Sequence, residues 1–370
     1  PKNREFLRDY QMVTYILRRL FTSLPALFGV LIITFILARS IPGHPCEMIL
    51  GEKATQEMCD RFIQSKGLDK PIPVQFGIYM KDVMRGDFGN SIRYNLPVIQ
   101  ILVERLPATV ELSLTAFLIA VAIGIPVGII SAIYKNSPFD VTTMIGANIG
   151  VSLPVFWLGL IMMYIFAVLL KDTPFWLPPS GRISAGLSSE PFYQVYGMTV
   201  AEGSARFLVF DFLSNLFIFN SIITLDFEIL GDTIKHLILP AITLSVIPLA
   251  IVARMTRSSL LEELGSNYLR AARAKGLRRR IAIMKHAVRN AILPIVTIMG
   301  LQIGGLLSGA VLTEIIFSYP GLGWILYESI IKHDPPVVQM ITLVVAVIYV
   351  FANLIVDLSY AVLDPRIRLE

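Results

Sequence analysis

The chain has 370 residues, 55% of them hydrophobic and only 16% charged, with a mean hydropathy of +0.67 and a formal charge of +5. An ordinary soluble domain carries roughly 25% charged residues and could not hide this much apolar surface in one core, so a lipid bilayer is the expected solvent. The basic residues gather at the ends of apolar runs, where membrane topology places them, and no aromatic reading surface accompanies them, which argues against nucleic acid as a partner.

Met12 opens the run MVTYILRRL and reads as a natural start, so residues 1–11 are set aside. The apolar run that follows is too long for a cleavable signal and has no convincing small-residue cleavage site before Pro42. A bilayer crossing needs about 20 apolar residues, and six segments qualify: Tyr15–Ala38, Ala108–Ile133, Val141–Leu170, His236–Val252, Ala291–Val311 and Val337–Leu363. The fourth is short unless its helix runs on. Arg18 and Arg19 precede the first span and place the N-terminus in the cytoplasm. Six crossings bring the C-terminus, with Arg366 and Arg368, and the basic segment Arg254–Pro294 to that same side.

The long region after the first span holds the two cysteines, Cys46 and Cys59. A disulfide in an oxidising compartment and a pair of free small side chains are the two readings there; the spacing and the scattered histidines make no metal site. The 171–232 region carries Lys171, Arg182 and Arg206 against seven acidic residues and falls outside. Within it, Phe207–Leu225 is long enough to cross, but a further crossing would export the basic segment. With Asp211 and Asn215 in its middle, it reads as an external helix or a re-entrant element packed on the bundle. Gly124, Pro126, Gly128, Pro154, Pro240, Pro248, Gly304, Gly305 and Gly309 recur inside the spans, where they allow close packing and kinks.

The basic segment has ten Arg or Lys residues opposed only by Glu262 and Glu263. Ser259 and Glu262 fit a capping box, Asn267 fits an N-cap for a helix Tyr268–Lys275, and Gly276 fits its C′ position. Two turns are marginal alone in water, so this helix is expected to dock. Tyr268, Ala271, Ala272 and Lys275 share one face, with Arg270, Arg273 and Lys275 placed to meet carboxylates of a partner. The plainer alternative is a solvated positive loop touching anionic membrane lipid.

No G-x-x-x-x-G-K-[ST] phosphate loop occurs, so ATP hydrolysis is not expected here, and no nucleophile–base pair or metal constellation suggests another enzyme. His286 fits packing or interface polarity. Glu111, Glu314 and Asp357 stand near span ends, where interhelical pairing is commoner than a proton path. Asn148, Ser152, Trp157, Gln302, Ser308 and Asn353 are candidates to line a pathway and equally candidates for interhelical hydrogen bonds.

The run Asn267-Tyr268-Leu269-Arg270-Ala271-Ala272-Arg273-Ala274-Lys275-Gly276, followed by His286-Ala287-Val288-Arg289-Asn290-Ala291 and Leu293-Pro294, resembles the cytoplasmic coupling loop of ABC-importer permeases, in particular the dipeptide/oligopeptide family. Arg270 stands where the general pattern has Glu, as is usual for the peptide branch. The resemblance extends to Tyr15–Leu20, to Gly67–Pro71 with Gln75 and Tyr79, to Gly86–Ser91, to Arg105-Leu106-Pro107, to Glu314, Phe317 and Tyr319–Gly323, and to Asp357, Tyr360 and Asp364–Arg366. It implies an all-α membrane protein with six transmembrane helices, the type I ABC-importer permease fold and a long external segment after helix 1. The first helix and external segment would occupy 1–105 and the permease domain 106–363, with a coupling loop at 254–290 and an external insertion at about 171–232.

The same resemblance implies the first of two permease subunits, each forming half of a translocation pathway. ATPase subunits would hold ATP and Mg and dock on the 261–276 helix through Glu262, Glu263, Asn267, Tyr268, Arg270, Ala271, Ala272, Arg273, Lys275 and Gly276. This chain would carry no cofactor. An external binding protein would deliver a peptide substrate. The alternative is a self-sufficient secondary transporter or channel, which the capped basic loop and the lack of an intramembrane carboxylate cluster disfavour.

Overall fold

The computed structural model describes residues 2–40, 55–65, 69–201 and 203–363. Among these the fold is helical throughout; the one isolated β-bridge joins Asn90 to Pro97. The α-helices of eight or more residues among them are, in chain order, α1 (Lys2–Ser40), α2 (Gln56–Ser65), α3 (Ile72–Met84), α4 (Val98–Ile133), α5 (Pro138–Ser152), α6 (Val155–Met163), α7 (Ala205–Ser214), α8 (Phe217–Thr224), α9 (Phe227–Leu264), α10 (Asn267–Ala274), α11 (Val288–Ile316), α12 (Leu322–Ile331) and α13 (Pro335–Leu363).

Among the described residues five helical segments are long and apolar enough to cross a membrane, lying at Thr14–Leu37, Val98–Ile133, Phe227–Leu264, Arg279–Leu307 and Pro335–Ile355. They overlap five of the six expected spans, containing Ala108–Ile133 and His236–Val252 whole, while Ala291–Val311 and Val337–Leu363 reach past the ends of their segments at Leu307 and Ile355. Residues 2–11, set aside above, continue α1. The fourth span does run on, from Phe227 to Leu264.

The third expected span is broken. Pro138–Ser152 and Val155–Leu169, the second ending in a π-helical stretch from Tyr164 to Leu169, meet at 105°. The cause is local: Leu153 precedes Pro154, and the proline ring drives it to an extended conformation with ψ 129°. Each half is 15 residues, about 22 Å at 1.5 Å per residue, against a hydrocarbon core of about 30 Å. Taken as one bent span, the pair completes six. Phe207–Leu225 is likewise no straight helix: α7 and α8 meet at 90° around Asn215 and Leu216.

The central pair is α4 against α9. Gly124 and Gly128 sit four apart on α4, and a Cβ on Gly128 would lie 2.6 Å from both the Ala253 carbonyl oxygen and Thr256 Cβ. Their missing side chains let the two backbones touch, the small-xxx-small device of membrane helices. Buried side chains form three clusters around this pair. One lies at the end away from the basic segment, where Ala108, Leu112 and Ala116 meet Leu237, Leu244, Phe317 and Tyr319. The second joins the start of α4 to α12 and α13 through Val98, Ile101, Leu322, Ile325, Val337 and Ile341. The third lies under the basic segment and includes Ala132, Leu260, Leu269, Ala282 and Ala287.

Candidate functional site

The basic segment is built as a platform. α9 carries straight through Ser259 and Glu262 to Leu264, so these two residues are helix interior and form no capping box. Leu260, 1% exposed, and its neighbours keep the helix packed on the bundle past that point. The chain turns at Gly265 and Ser266. Ser266, not Asn267, is the N-cap of α10: its backbone is extended (φ −67°, ψ 149°), its carbonyl accepts from the Arg270 N–H, and its hydroxyl donates to the Glu263 carbonyl at 2.6 Å. The expected 261–276 helix is therefore two pieces, the end of α9 and the separate α10.

One side chain docks α10. Leu269 is 3% exposed and inserts among Leu260, Ala282 and Ala287. On the other side Tyr268, Arg270, Ala271, Arg273 and Lys275 are exposed, and Ala272 is half-buried. Tyr268 donates its hydroxyl to Glu263; burial first, and this bond second, raise its pKa above the usual tyrosine value, so it stays a donor. Glu262 is exposed. Gly276 ends the helix with φ +87°; its N–H reaches the Arg273 carbonyl (3.0 Å) and the Leu277 N–H reaches the Ala272 carbonyl (3.3 Å), the Schellman pairing. Gly276→Ala places a Cβ at a left-handed position and is expected to cost about 1 kcal/mol. Thermal unfolding of the variant in detergent checks this.

Two arginines of the segment are already engaged. Arg257 forks onto Asp140 at 2.5 and 2.8 Å, tying α9 to the start of α5, and Arg254 reaches the Asn148 side chain at 3.4 Å.

The opposite end is closed by buried polar groups. α12 begins at Gly321, which has no side chain to cap it. Thr109 Oγ1 accepts from the Leu322 N–H (2.7 Å) and donates to Glu314 Oε1 (2.6 Å), while Glu314 Oε2 accepts from the Trp324 N–H (3.0 Å). Thus α4 and α11 jointly supply the cap that α12 lacks. Glu314 is fully buried and Thr109 is 3% exposed. A Cβ on Gly321 would lie 2.5 Å from Thr109 Oγ1.

Beside this cap, Arg182 and Glu111, each 6% exposed, pair at 2.6 Å. Arg182 also donates to the Asn215 carbonyl, freed by the α7–α8 break, and stacks 3.7 Å over Phe217, while Glu111 accepts from the Ile218 N–H. The 171–232 insertion is thereby pinned to α4. Ser91 donates to Asp334 at 2.5 Å, and the Ile92 and Arg93 N–H groups point to the same carboxylate, which fixes the Gly86–Ser91 region to the start of α13.

Residues 124–369 match the model of the binding-protein-dependent transport system inner membrane component, and residues 12–115 match the model of the N-terminal part of such membrane components. The chain belongs to this family. The dipeptide transport system permease of Alkalihalophilus pseudofirmus is 44% identical over 357 residues, spanning 96% of this chain and 100% of that one. The corresponding permease of Escherichia coli K12 is 41% identical over 358 residues (96% and 99%), and the di/tripeptide permease of Pseudomonas aeruginosa is 40% identical over 360 (96% and 99%). This chain is thus a multi-pass membrane permease component of a binding-protein-dependent transport system, and its fold is the family's all-helical one.

In this permease the expected pathway residues do not all converge. Asn148, Ser152 and Trp157 gather at the α5–α6 bend and are exposed, Trp157 at 46%. Ser152 spends its hydroxyl on the Asn148 carbonyl of its own helix, and Asn353 spends its amide on the Tyr349 carbonyl of its own. Gln302 is half-buried on α11, and the Ser308 side chain lies outside the described residues. Cys59 is disulfide-bonded; Cys46 lies outside the described residues. Glu111 and Glu314 are paired as span-end groups, and so is Asp357, which meets Arg19 at 2.9 Å. Their partners were missed because 71 residues separate Glu111 from Arg182 and 205 separate Thr109 from Glu314.

Proposed function

We propose that the chain is one of two permease subunits of an ATP-driven importer for di- and oligopeptides. The observation that carries the coupling role is α10 itself: a short helix held by one buried leucine, presenting a small-residue patch ringed by exposed cations. Such a surface admits the close approach of another protein and meets its carboxylates at the rim. ATPase subunits, which bind ATP with Mg and hydrolyse it, dock there. A second permease subunit completes the pathway, membrane lipid surrounds the pair, and an external binding protein delivers the substrate. The names of the 40–44% identical relatives, dipeptide and di/tripeptide permeases, support peptides as that substrate.

The basic loop and both termini face the cytoplasm in this account, as the positive-inside rule requires. ATP binding closes the ATPases and favours an outward-facing pathway; hydrolysis resets it inward, with α10 as the element that transmits the motion between two packings. In the assembled transporter, a cysteine at Ala271 should cross-link to an ATPase subunit, with a yield that changes on adding ATP. A cysteine at that position labelled in intact cells by a membrane-impermeant reagent would defeat both the docking and the orientation.

A further inference from the structure

The turn that carries α10 has an outward face of its own. From Arg279 the backbone runs through one α-helical turn, Arg279–Ile281, then a π-helical stretch, Ala282–Ala287, and directly into α11. Bonding of the i→i+5 kind stacks residues five apart, and Ala282 and Ala287 are both fully buried, packed with Leu260 and Leu269. Ile283 is buried beside them, while Met284, Lys285 and His286 point away, as do Arg280 and Ile281 just before Ala282. Arg280, Ile281, Met284 and Lys285 are all exposed, the two apolar ones at 43% and 51%, with exposed Arg278 and Arg279 just before them. Among the described residues none of these four cations makes an ion pair.

The position of this face matters. Arg279 to Ile316 is one helical run of 38 residues, about 57 Å long and so well beyond the hydrocarbon thickness of about 30 Å. The part of it apolar enough to cross, Arg279–Leu307, is about 44 Å long, the thickness of the hydrocarbon core with its headgroup layers, so the first turns match headgroup depth, with cations and aliphatic side chains interleaved. Cations there meet headgroups, and aliphatic side chains reach the acyl boundary.

We propose that this face is a binding site for an anionic phospholipid, Arg279, Arg280 and Lys285 holding the phosphate-bearing headgroup and Ile281 and Met284 packing on its chains. Lipid is favoured over a protein partner because the exposed aliphatic pair lies on the same helix that enters the membrane, while α10 offers a separate small-residue face to protein. The site also bears on coupling. The anchor of α10, Leu269, rests on Ala282 and Ala287 of the same turn, so a bound lipid steadies the seat of α10. The site requires neither the peptide assignment nor the ATPase assignment.

The test is a titration of the purified full chain in detergent with phosphatidylglycerol and, separately, phosphatidylcholine, counting bound lipid by native mass spectrometry. Each surface cation is worth about a fivefold factor toward anionic lipid, so a site with three gives a selectivity of up to roughly 100-fold if the contributions add. The triple variant Arg279→Gln, Arg280→Gln, Lys285→Gln should bring the two lipids to near-equal affinity, whereas Arg270→Gln with Arg273→Gln on α10 should leave the selectivity intact. Equal loss in both variants would reduce the site to overall charge and overturn it. So would a triple variant that elutes normally and keeps full selectivity, or one that keeps selectivity while shedding ATPase subunits from the assembled complex, an outcome that assigns the face to protein.

Discussion

Ala271→Asp is expected to abolish ATP-coupled uptake while leaving the permease folded and inserted. The Ala271 side chain is exposed in the isolated chain, on the side of α10 away from the Leu269 anchor, so the carboxylate is solvated there and costs little. Once a partner covers the patch, the same carboxylate becomes a desolvated charge amid a packed contact. An uncompensated charge in such a place costs about 3 kcal/mol or more, roughly a 100-fold loss of productive docking. The measurement is paired: uptake by reconstituted transporter, and the amount of monodisperse permease recovered from the membrane. Normal uptake with normal recovery would remove α10 from the coupling pathway. Loss of both would mean that the position is structural.

The second large effect is expected at the opposite end. Glu314→Ala removes the acceptor of the Thr109 hydroxyl and the Trp324 N–H, both in a fully buried setting. Two orphaned donors at 1–3 kcal/mol each give a destabilisation of about 4 kcal/mol. Glu314→Gln keeps one carbonyl oxygen and should lose about half as much. Gly321→Ala pushes a methyl group against Thr109 Oγ1 and should behave like Glu314→Ala. Thermal unfolding followed by tryptophan fluorescence reports this well, since Trp324 itself sits in the cap. Equal stability of Glu314→Ala and wild type would show that α12 finds another cap.

The contrast between these sites explains what could be read from the chain. Apolar runs announce spans because every backbone group in lipid must be satisfied within the helix, and five of the six expected crossings lie within unbroken helices. The exception carried its own signal. Pro154 constrains Leu153, and the span bends 105° there; hydropathy alone does not register a proline in a run this apolar. Gly276 was legible because a positive φ at a helix end demands glycine, whereas the Ser259–Glu262 pair misled because capping chemistry is outvoted when apolar packing carries a helix onward. The Asn267 cap failed by one residue for a simpler reason: Ser266 is as good a cap and sits beside the Gly265 turn.

The tertiary cap and the Arg182–Glu111 pair were beyond local reading. Thr109, Glu111, Arg182, Glu314 and Gly321 are brought together only by the packing of α4, α11, α12 and the insertion. Each alone looks like an ordinary span-end residue. The same holds for Asp334, whose partner Ser91 lies 243 positions earlier. The contacts proposed for α10 with an ATPase would belong to an assembly; the chain itself displays the exposed Ala271 patch, its basic rim and the buried Leu269 anchor.

The proposed role makes transport depend on an assembly. The decisive measurement is uptake of a labelled dipeptide into proteoliposomes, comparing the purified chain alone with the full set of second permease, ATPase subunits and binding protein. Uptake should require every component and Mg-ATP, and should stop on omission of any one. Flux of peptide or ions through the purified chain alone, driven by a gradient and indifferent to ATP, would contradict it.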